Sequence, residues 1–376
     1  MRLLLLTNLY PPQNLGGFGL CLERLCRGLE QLGYTTQTLT SDSPYLGRAG
    51  LNPNVCRALE LIGSYEGGIS QLTDNNERYN RCLRNRALIA KVAKSFKPNT
   101  CLIGNLDLLG VEIIDSILDM GIPVIQHVGF MGAPLPVESK QLKNPLYRMA
   151  FASGQVKLLL KDQGFKVDKF PVVYPPLAND ISPPMRKERN GNIRVCYSGL
   201  LMQSKGVHIL FEALAILKLK NIFMNLSVAG KAFAHSYEDE LRDYAIKAGI
   251  NTQIKWFGFM ESEELQKFYE AHDVLVFPSL HPESFGMVVA EAMATGVVPI
   301  SSGVGGAIEV IAHGRNGLLV PPGDSNALAN QLIWCNIHRE ELEKMAKNAR
   351  RDSIKMFTPR RSAEILNNCF MEMLGK

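Results

Sequence analysis

The stretch from Asp273 to Pro299, DVLVFPSLHPESFGMVVAEAMATGVVP, is the most informative part of the chain. It opens with Val274 to Phe277, an apolar run typical of a buried strand, and a polar loop then ends in Glu283. We expect a helix to begin near Ser284 and to carry a second carboxylate, Glu291, two turns later. Eight positions at roughly 1.5 Å each separate the two glutamates by about 12 Å along the chain.

The start of this helix is a predicted anion site. Amides in the first turn of a helix have no partner within it and lie at the positive end of its dipole, which suits a phosphate. The spacing of the glutamates fits a nucleoside-diphosphate sugar, with the sugar at Glu283 and the ribose at Glu291. The diphosphate would face the amides that follow Ser284, those of Phe285, Gly286, Met287 and Val288.

This block resembles the donor-site signature of retaining GT-B glycosyltransferases, specifically glycosyltransferase family 4. The signature E-x-F-G-x-x-x-x-E is complete, and the Gly-Gly loop and the stretch 316–324 match as well. The resemblance implies an α/β protein with the GT-B fold, in which two Rossmann-like domains face each other across a cleft. It also implies a retaining, metal-independent transfer of a hexose from a nucleoside-diphosphate sugar to an acceptor hydroxyl, in polysaccharide or glycolipid biosynthesis.

Length and composition agree with a two-domain globular protein. The chain has 376 residues, of which 46% are hydrophobic and 20% charged, with a net charge of +5. That charge is too small to indicate nucleic acid. No apolar run approaches the roughly 18 residues of a membrane span, and Met1 to Leu6 is better explained as a first strand than as a signal peptide. The eight scattered cysteines favour reduced thiols in a cytoplasmic protein.

Short apolar runs alternate with helical patterns along the whole chain, which is typical of parallel sheets. The segment from Tyr174 to Gly191 interrupts this alternation with four prolines and a charged run, so we interpret it as a linker. The predicted domains are residues 1–178, on the acceptor side, and 190–356, on the nucleotide-sugar side. By resemblance, a last helix within 359–376 returns to the first domain.

Two further loops match the family. The first βα turn contains Gly16 and Gly17, whose amides the resemblance places near the donor diphosphate. The turn is not G-x-G-x-x-G, which disfavours a nicotinamide dehydrogenase. Lys205 matches the lysine that neutralises the leaving diphosphate. Leu200 stands where the family often has an arginine, so one expected cation is missing and Lys231 is a candidate to replace it.

Three more positions are predicted to lie at strand ends. His127 follows the apolar run 122–126, and carboxyl ends of parallel strands are where α/β folds place ligands. It is interpreted either as a group beside the transferred sugar or as a structural histidine. Gly258 and Phe259 resemble the turn whose backbone flanks the nucleotide base.

The region from Arg78 to Lys97 holds seven basic residues and no acid. Helical spacing separates its apolar and basic residues onto opposite faces. One interpretation is an amphipathic helix on a sheet with a solvated basic face. The other is peripheral contact with anionic lipid at the inner membrane surface, which would matter for a lipid-linked acceptor.

We expect no metal and no cofactor, because no D-x-D triplet and no cluster with ligand spacing occurs. The sequence does not identify the donor base, the sugar, the acceptor or the oligomeric state. Two alternatives to the transferase remain open at this point. They are a catalytically silent nucleotide-sugar binder, which Leu200 makes conceivable, and a GT-B nucleotide-sugar epimerase.

Overall fold

A computed structural model describes residues 1–66, 68–178, 191–232 and 235–376. The chain divides into two compact units, one made of Met1–Pro176 with Thr358–Lys376 and the other of Leu177–Phe357. The sequence-based domain limits, 178 and 356, lie beside these divisions. Most of the predicted linker falls on residues 179–190, which lie outside the described residues.

The first unit is a parallel sheet with helices between its strands. Its elements in chain order are β1 (Arg2–Leu6), α1 (Phe18–Gln31), β2 (Thr35–Ser41), β3 (Val55–Leu59), β4 (Gly63–Ser64), β5 (Ser70–Gln71), α2 (Asn75–Phe96), β6 (Thr100–Ile103), α3 (Glu112–Leu118), β7 (Val124–Val128), β8 (Tyr147–Phe151) and α4 (Gly154–Asp162), and the last helix of the chain, Pro359–Met373, completes the unit.

The second unit repeats this plan. Its elements are β9 (Val195–Ser198), α5 (Val207–Leu219), β10 (Leu226–Ala229), α6 (His235–Lys247), β11 (Ile254–Gly258), α7 (Ser262–Glu270), β12 (Val274–Phe277), α8 (Met287–Ala294), β13 (Val298–Ser301), α9 (Ala307–Val310), β14 (Leu318–Leu319), α10 (Ser325–Ile337) and α11 (Arg339–Met356). The last helix, Pro359–Met373, is α12.

Both six-stranded sheets have the same strand order. The first runs β3-β2-β1-β6-β7-β8 and the second β11-β10-β9-β12-β13-β14, with parallel pairing throughout. This is the 3-2-1-4-5-6 order of the Rossmann fold, and it reverses between β1 and β6 and between β9 and β12. Central strands are covered on both faces, which explains why Leu3 to Leu6 are all fully buried.

The C-terminal helix α12 packs on α1 within the first unit. Gly28 allows this close approach, because a Cβ at that position would lie 2.5 Å from the carbonyl oxygen of Pro359. The Tyr34 hydroxyl donates to Asn367 Oδ1 at 2.8 Å. Arg148 pairs with Glu372 at 2.6 Å.

The first unit departs from the apolar pattern of the sequence in two places. At residues 171–173 the chain makes only an isolated bridge, from Val172 to Phe151, since Pro171 has no amide to extend a ladder. The edge strand β3 was not predicted, because four of its five residues are only partly buried or exposed and the apolar pattern is weak. The strand β7 continues through Val128, so His127 lies inside it.

The basic region of the sequence forms α2, which buries Asn85, Ile89 and Ala93. Several of its cations pair with acids: Arg84 with Glu60 at 2.7 Å, and Arg81 with Glu77 at 2.9 Å. Glu77 immediately precedes the basic stretch 78–97, and Glu60 lies farther back, directly after β3.

Candidate functional site

Two predicted donor residues, Lys205 and Glu283, lie where the strand order of the second sheet reverses. Lys205 follows β9, and Glu283 follows β12, the strand beside it. The two loops touch: the amide of Leu280 donates to the carbonyl oxygen of Ser204 at 2.8 Å. A Cβ at Gly206 would lie 2.1 Å from the carbonyl oxygen of Pro278, so this contact requires glycine. Ligands of such sheets bind at this reversal point.

Lys205 and Glu283 form an ion pair with each other. The Nζ atom lies 2.6 Å from Oε1 and 2.7 Å from Oε2 of the carboxylate. Their side chains are 23% and 15% exposed, so the pair is largely shielded from water. The sequence analysis assigned the two groups to different parts of a ligand and did not predict that they contact each other.

Serine side chains fix the carboxylate, and the sequence analysis missed them. Ser279 is fully buried, and its Oγ donates to Glu283 Oε1 at 2.6 Å. Ser302 in turn donates to the carbonyl oxygen of Ser279 at 2.5 Å. The only sequence signal was the position of Ser279 four residues before Glu283, on the same loop.

The glycine loop after β13 holds the backbone around Glu283. The amide of Glu283 donates to the carbonyl oxygen of Val304 at 3.2 Å, and its own carbonyl oxygen accepts from the amide of Gly306 at 2.6 Å. A Cβ at Gly305 would lie 2.2 Å from the Glu283 carbonyl oxygen, and one at Gly306 would lie 2.3 Å from that of Ser284. Only glycine permits this packing.

Helix α8 begins at Met287, with Gly286 at its N-terminus in the left-handed region (φ 94°). Within the described part of the chain, the amides of Gly286, Met287 and Val288 donate no hydrogen bond. All three residues are partly exposed. Together with the helix dipole, these donors make the helix start an anion-binding geometry.

The rest of the signature anchors or borders this helix start. Phe285 is buried and packs edge-on against Phe357, with ring centroids 5.0 Å apart. Ser284 and Glu291 are partly exposed. Glu291 lies one turn into α8, about 6 Å along the axis from Met287. From the far side, Ser353 of α11 donates to the carbonyl oxygen of Ala290 at 2.7 Å.

The remaining predicted residues of the second unit lie at neighbouring strand ends. Gly258 ends β11 with φ 72°, and Phe259 beyond it is 65% exposed. Leu200 follows β9, and its carbonyl oxygen accepts from the Tyr197 hydroxyl at 2.8 Å. The amide of the next residue donates to the carbonyl oxygen of Lys231, which places this exposed lysine beside the loop that lacks the arginine.

In the first unit, Gly16 and Gly17 lie between β1 and α1. Gly16 is exposed with φ 68°, and a Cβ there would meet open space. Gly17 is the N-cap of α1 and accepts at its carbonyl oxygen from the amide of Cys21. The glycines therefore form a helix start like that of α8, at the point where the first sheet reverses its order. No contact in the structure tests their role.

His127 is fully buried in β7. Its Nε2 lies 2.9 Å from the carbonyl oxygen of Val173, so this nitrogen carries the proton and donates it. Its Nδ1 has no hydrogen-bond partner among the described residues. The Phe18 ring stacks over the imidazole at 5.8 Å. Burial lowers the pKa of His127 to about 4, which keeps the ring neutral near pH 7.

The described residues hold neither a membrane-spanning helix nor a cluster of metal ligands. No helix among them is long and apolar enough to cross a membrane. No three His, Cys, Asp or Glu side chains in the described ranges stand close enough to hold a metal ion. All eight cysteines are free thiols.

We predict a measurable coupling between Lys205 and Glu283. Lys205→Met, Glu283→Gln and the double variant form a cycle of unfolding free energies, measured in urea. Because the pair is shielded from water, we expect a coupling of about 1–3 kcal/mol. The matched control is the exposed pair Arg242–Glu238, 2.7 Å apart, where about 0.5 kcal/mol is expected. Equal coupling in the two cycles would contradict the shielding.

We also predict an acid-dependent loss of stability through His127. The unfolded chain binds a proton on this residue near pH 6.5 whereas the folded chain resists it down to about pH 4. Stability therefore falls as pH decreases through that window. His127→Gln should reduce the loss between pH 7 and pH 5 by about 1–2 kcal/mol in urea unfolding. The control, His281→Gln, replaces an exposed ring. If the pH dependence of stability in His127→Gln matched that of the wild type, the acid-dependent loss could not be assigned to His127.

Comparison with known proteins agrees with this architecture. Residues 180–352 match the family model of glycosyl transferases group 1. A stretch of 186 residues is 31% identical to an uncharacterized glycosyltransferase of Methanocaldococcus jannaschii, and covers 48% of this chain and 46% of that protein. The chain spans less than half the length of the curated relatives it matches.

Similarity to solved structures extends over the whole chain. The sucrose-phosphate synthase of Thermosynechococcus elongatus has a TM-score of 0.79 at 17% identity, with 100% of both chains covered. The Anabaena protein HepE, in complex with UDP and glucose, has a TM-score of 0.74 at 18% identity, covering 99% of this chain and 100% of that one. These TM-scores show a shared fold, GT-B, with two Rossmann-like units. Within it, residues 180–352 match the group 1 glycosyl transferases.

Proposed function

We propose that this protein is a retaining glycosyltransferase that moves a sugar from a nucleoside-diphosphate sugar to an acceptor hydroxyl. The observation that carries the proposal is the Lys205–Glu283 pair beside the open amides of α8. A cation, a carboxylate and a helix start within one loop cluster provide matching partners for a diphosphate and a sugar. The match of residues 180–352 to the group 1 glycosyl transferase model supports the same conclusion.

Donor binding would break the contact between Lys205 and Glu283 and give each of them a partner on the ligand. The diphosphate takes the Lys205 ammonium and the amides of Gly286, Met287 and Val288, because each is a positive or partly positive donor. Glu283 is released to accept hydrogen bonds from sugar hydroxyls, while Ser279 keeps its carboxylate in place. The pair thus holds both groups near their working positions in the absence of ligand, which reduces the ordering that binding must impose.

The proposed chemistry is a front-face displacement. The bond from the anomeric carbon to the phosphate oxygen breaks while the acceptor oxygen bonds to the same face. The leaving phosphate receives the acceptor's proton. Lys205 and the α8 amides stabilise the charge that grows on that phosphate. Glu283 grips the sugar and is not assigned as a nucleophile, which would have to lie beneath the anomeric carbon.

The other predicted donor residues keep their assignments as parts of this proposal. Glu291 is assigned to the ribose, Gly258 and Phe259 to the base, and Gly16 and Gly17 to the diphosphate. Lys231 lies next to the loop of Leu200 and is proposed to supply the cation that the family arginine would give. His127 keeps its assignment beside the transferred sugar, where its unpartnered Nδ1 would accept a hydrogen bond from a sugar hydroxyl.

A cavity in the first unit is proposed for the acceptor. It measures about 400 Å³ and lies beyond the carboxyl ends of β2 and β3. Its lining includes the Tyr45 ring, the carboxylates of Asp42 and Glu60, and the guanidinium groups of Arg57 and Arg81. An aromatic face with balanced charges suits a polyhydroxylated acceptor. We propose action in the cytoplasm, with α2 able to approach an anionic membrane surface.

We predict that Glu283→Gln loses turnover by about 100-fold or more with the fold intact, since it removes the negative charge that accepts the sugar hydroxyls. Lys205→Ala should weaken donor binding and turnover together. Steady-state kinetics with thermal unfolding measure both. The matched control Arg242→Ala removes an exposed cation from the same unit. Wild-type turnover in Glu283→Gln would remove its assigned role.

A thermal-shift screen of UDP-, GDP-, ADP- and dTDP-sugars tests the function itself. A bound donor raises the unfolding temperature by mass action. Donors with one base should therefore raise the unfolding temperature of the wild type most, and the same donors should raise that of Lys205→Ala less. Product analysis with donor alone and with acceptors then follows. Isomerised donor without acceptor would indicate an epimerase, and binding without any transfer would indicate a silent binder.

We further predict full transfer activity in excess chelator, because Lys205 and the helix amides are proposed to replace a divalent cation at the diphosphate. The measurement is turnover with EDTA against turnover with added magnesium or manganese. A strict dependence on either ion would contradict the proposed charge stabilisation.

A further inference from the structure

A second cavity in the first unit lies at the opposite edge of its sheet from Gly16 and Gly17. It measures about 420 Å³. The cavity lies at the amino ends of three strands, because Arg2 is the first residue of β1, Asn99 precedes β6 and Ile122 precedes β7. The last turn of α2 forms one wall. The cavity is therefore separate from the strand ends to which the sugar chemistry is assigned.

The charged residues that line this cavity are all positive. Arg2, Lys94 and Lys97 line it, and no Asp or Glu is among its lining residues. None of these three cations lies within 4.0 Å of a carboxylate in the described part of the chain. Other cations of α2 differ, since Arg81 and Arg84 pair with Glu60 and Glu77. Asp119, next to the cavity in sequence, pairs with Arg86.

The three exposed cations come from two elements, and Arg2 is held against the end of α2. Arg2 Nε donates to the carbonyl oxygen of Lys97 at 2.8 Å, which leaves the two terminal nitrogens of the guanidinium available. The amide of Arg2 donates to Asn99 Oδ1 at 2.9 Å. Lys97 adopts a left-handed conformation, φ 49°, as the C-cap of α2. This conformation is uncommon for a residue other than Gly, Asn or Asp, and here it belongs to a residue that lines the cavity.

The negative end of the α2 dipole is enough to explain why Lys94 and Lys97 lie near the C-terminus of that helix. That explanation does not extend to Arg2, which comes from β1. The helix end supplies about half a negative charge, against three positive charges around one cavity. The floor of the cavity is apolar, formed by Ala93, Met120 and Ile122.

We infer that this cavity binds a phosphate monoester, with the phosphate between Arg2, Lys94 and Lys97 and its carbon portion over Met120 and Ile122. Phosphate is the anion that fits three cations around one cavity, because it carries up to two charges and several acceptor oxygens. Its source is either a free phosphorylated metabolite or a lipid headgroup. Because the site is remote from the assigned sugar chemistry within the unit, it would serve docking or regulation.

The test compares two double variants with the same loss of charge. Lys94→Ala with Lys97→Asn removes two cavity cations, and Asn tolerates the left-handed conformation. The control, Lys91→Ala with Lys169→Asn, removes two exposed lysines outside the cavity.

The probes are glycerol 1-phosphate, with glycerol as its neutral counterpart, and vesicles of phosphatidic acid in phosphatidylcholine, with pure phosphatidylcholine vesicles as reference. Titration calorimetry and vesicle cosedimentation at low salt measure binding, and hydrogen exchange of residues 90–99 locates it.

We expect the cavity variant to lose affinity by about tenfold or more, while the control stays within about twofold of wild type. Protection of residues 90–99 by glycerol phosphate would identify a free metabolite, and protection by phosphatidic acid vesicles alone would identify a headgroup. Equal losses in both double variants, or no protection of 90–99 by either probe, would overturn the inference. None of these readouts depends on glycosyl transfer, so the outcome is independent of the proposed function.

Discussion

The ion pair between Lys205 and Glu283 is the interaction on which the site depends. Its atoms are 2.6 Å apart and its side chains are mostly shielded from water, so neither charge can be removed without leaving the other uncompensated. Ser279 and Ser302 fix the carboxylate, and the contact of Gly206 with Pro278 fixes the lysine's loop. In the proposed reaction, the donor satisfies both charges when the pair separates, and a partial ligand such as a free nucleoside would not.

The order of the strands brings this pair together. In a parallel sheet that reverses its order, the two central strands lead to helices on opposite faces, and ligands bind at the carboxyl ends of those strands. Both units have this order, and in each the space is bordered by a glycine-bounded helix start, at α1 and at α8. The second unit adds the charged pair. The first instead has the neutral, buried His127 two strands away from β1.

Much of the fold could be predicted because its strands are buried on both faces and its helices end at glycines, as at Gly33 and Gly164, both with positive φ. The half-exposed edge strand β3 lacks such a pattern. For the site, the signature E-x-F-G marked the loop between β12 and α8, because its carboxylate and its glycine are local in sequence. The Lys205–Glu283 contact spans 78 positions and the role of Ser279 depends on side-chain direction. Likewise, the acids that pair with α2 lie outside the segment whose charges were considered.

The central claim is that an activated sugar replaces the bond between Lys205 and Glu283 at the start of α8. A crystal structure with a nucleoside-diphosphate sugar bound tests it most directly. The account predicts the diphosphate within hydrogen-bonding distance of Lys205 Nζ and of the amides of Met287 and Val288, with Glu283 on the sugar hydroxyls. A donor bound elsewhere, with the ion pair still closed at its present distance, would contradict it.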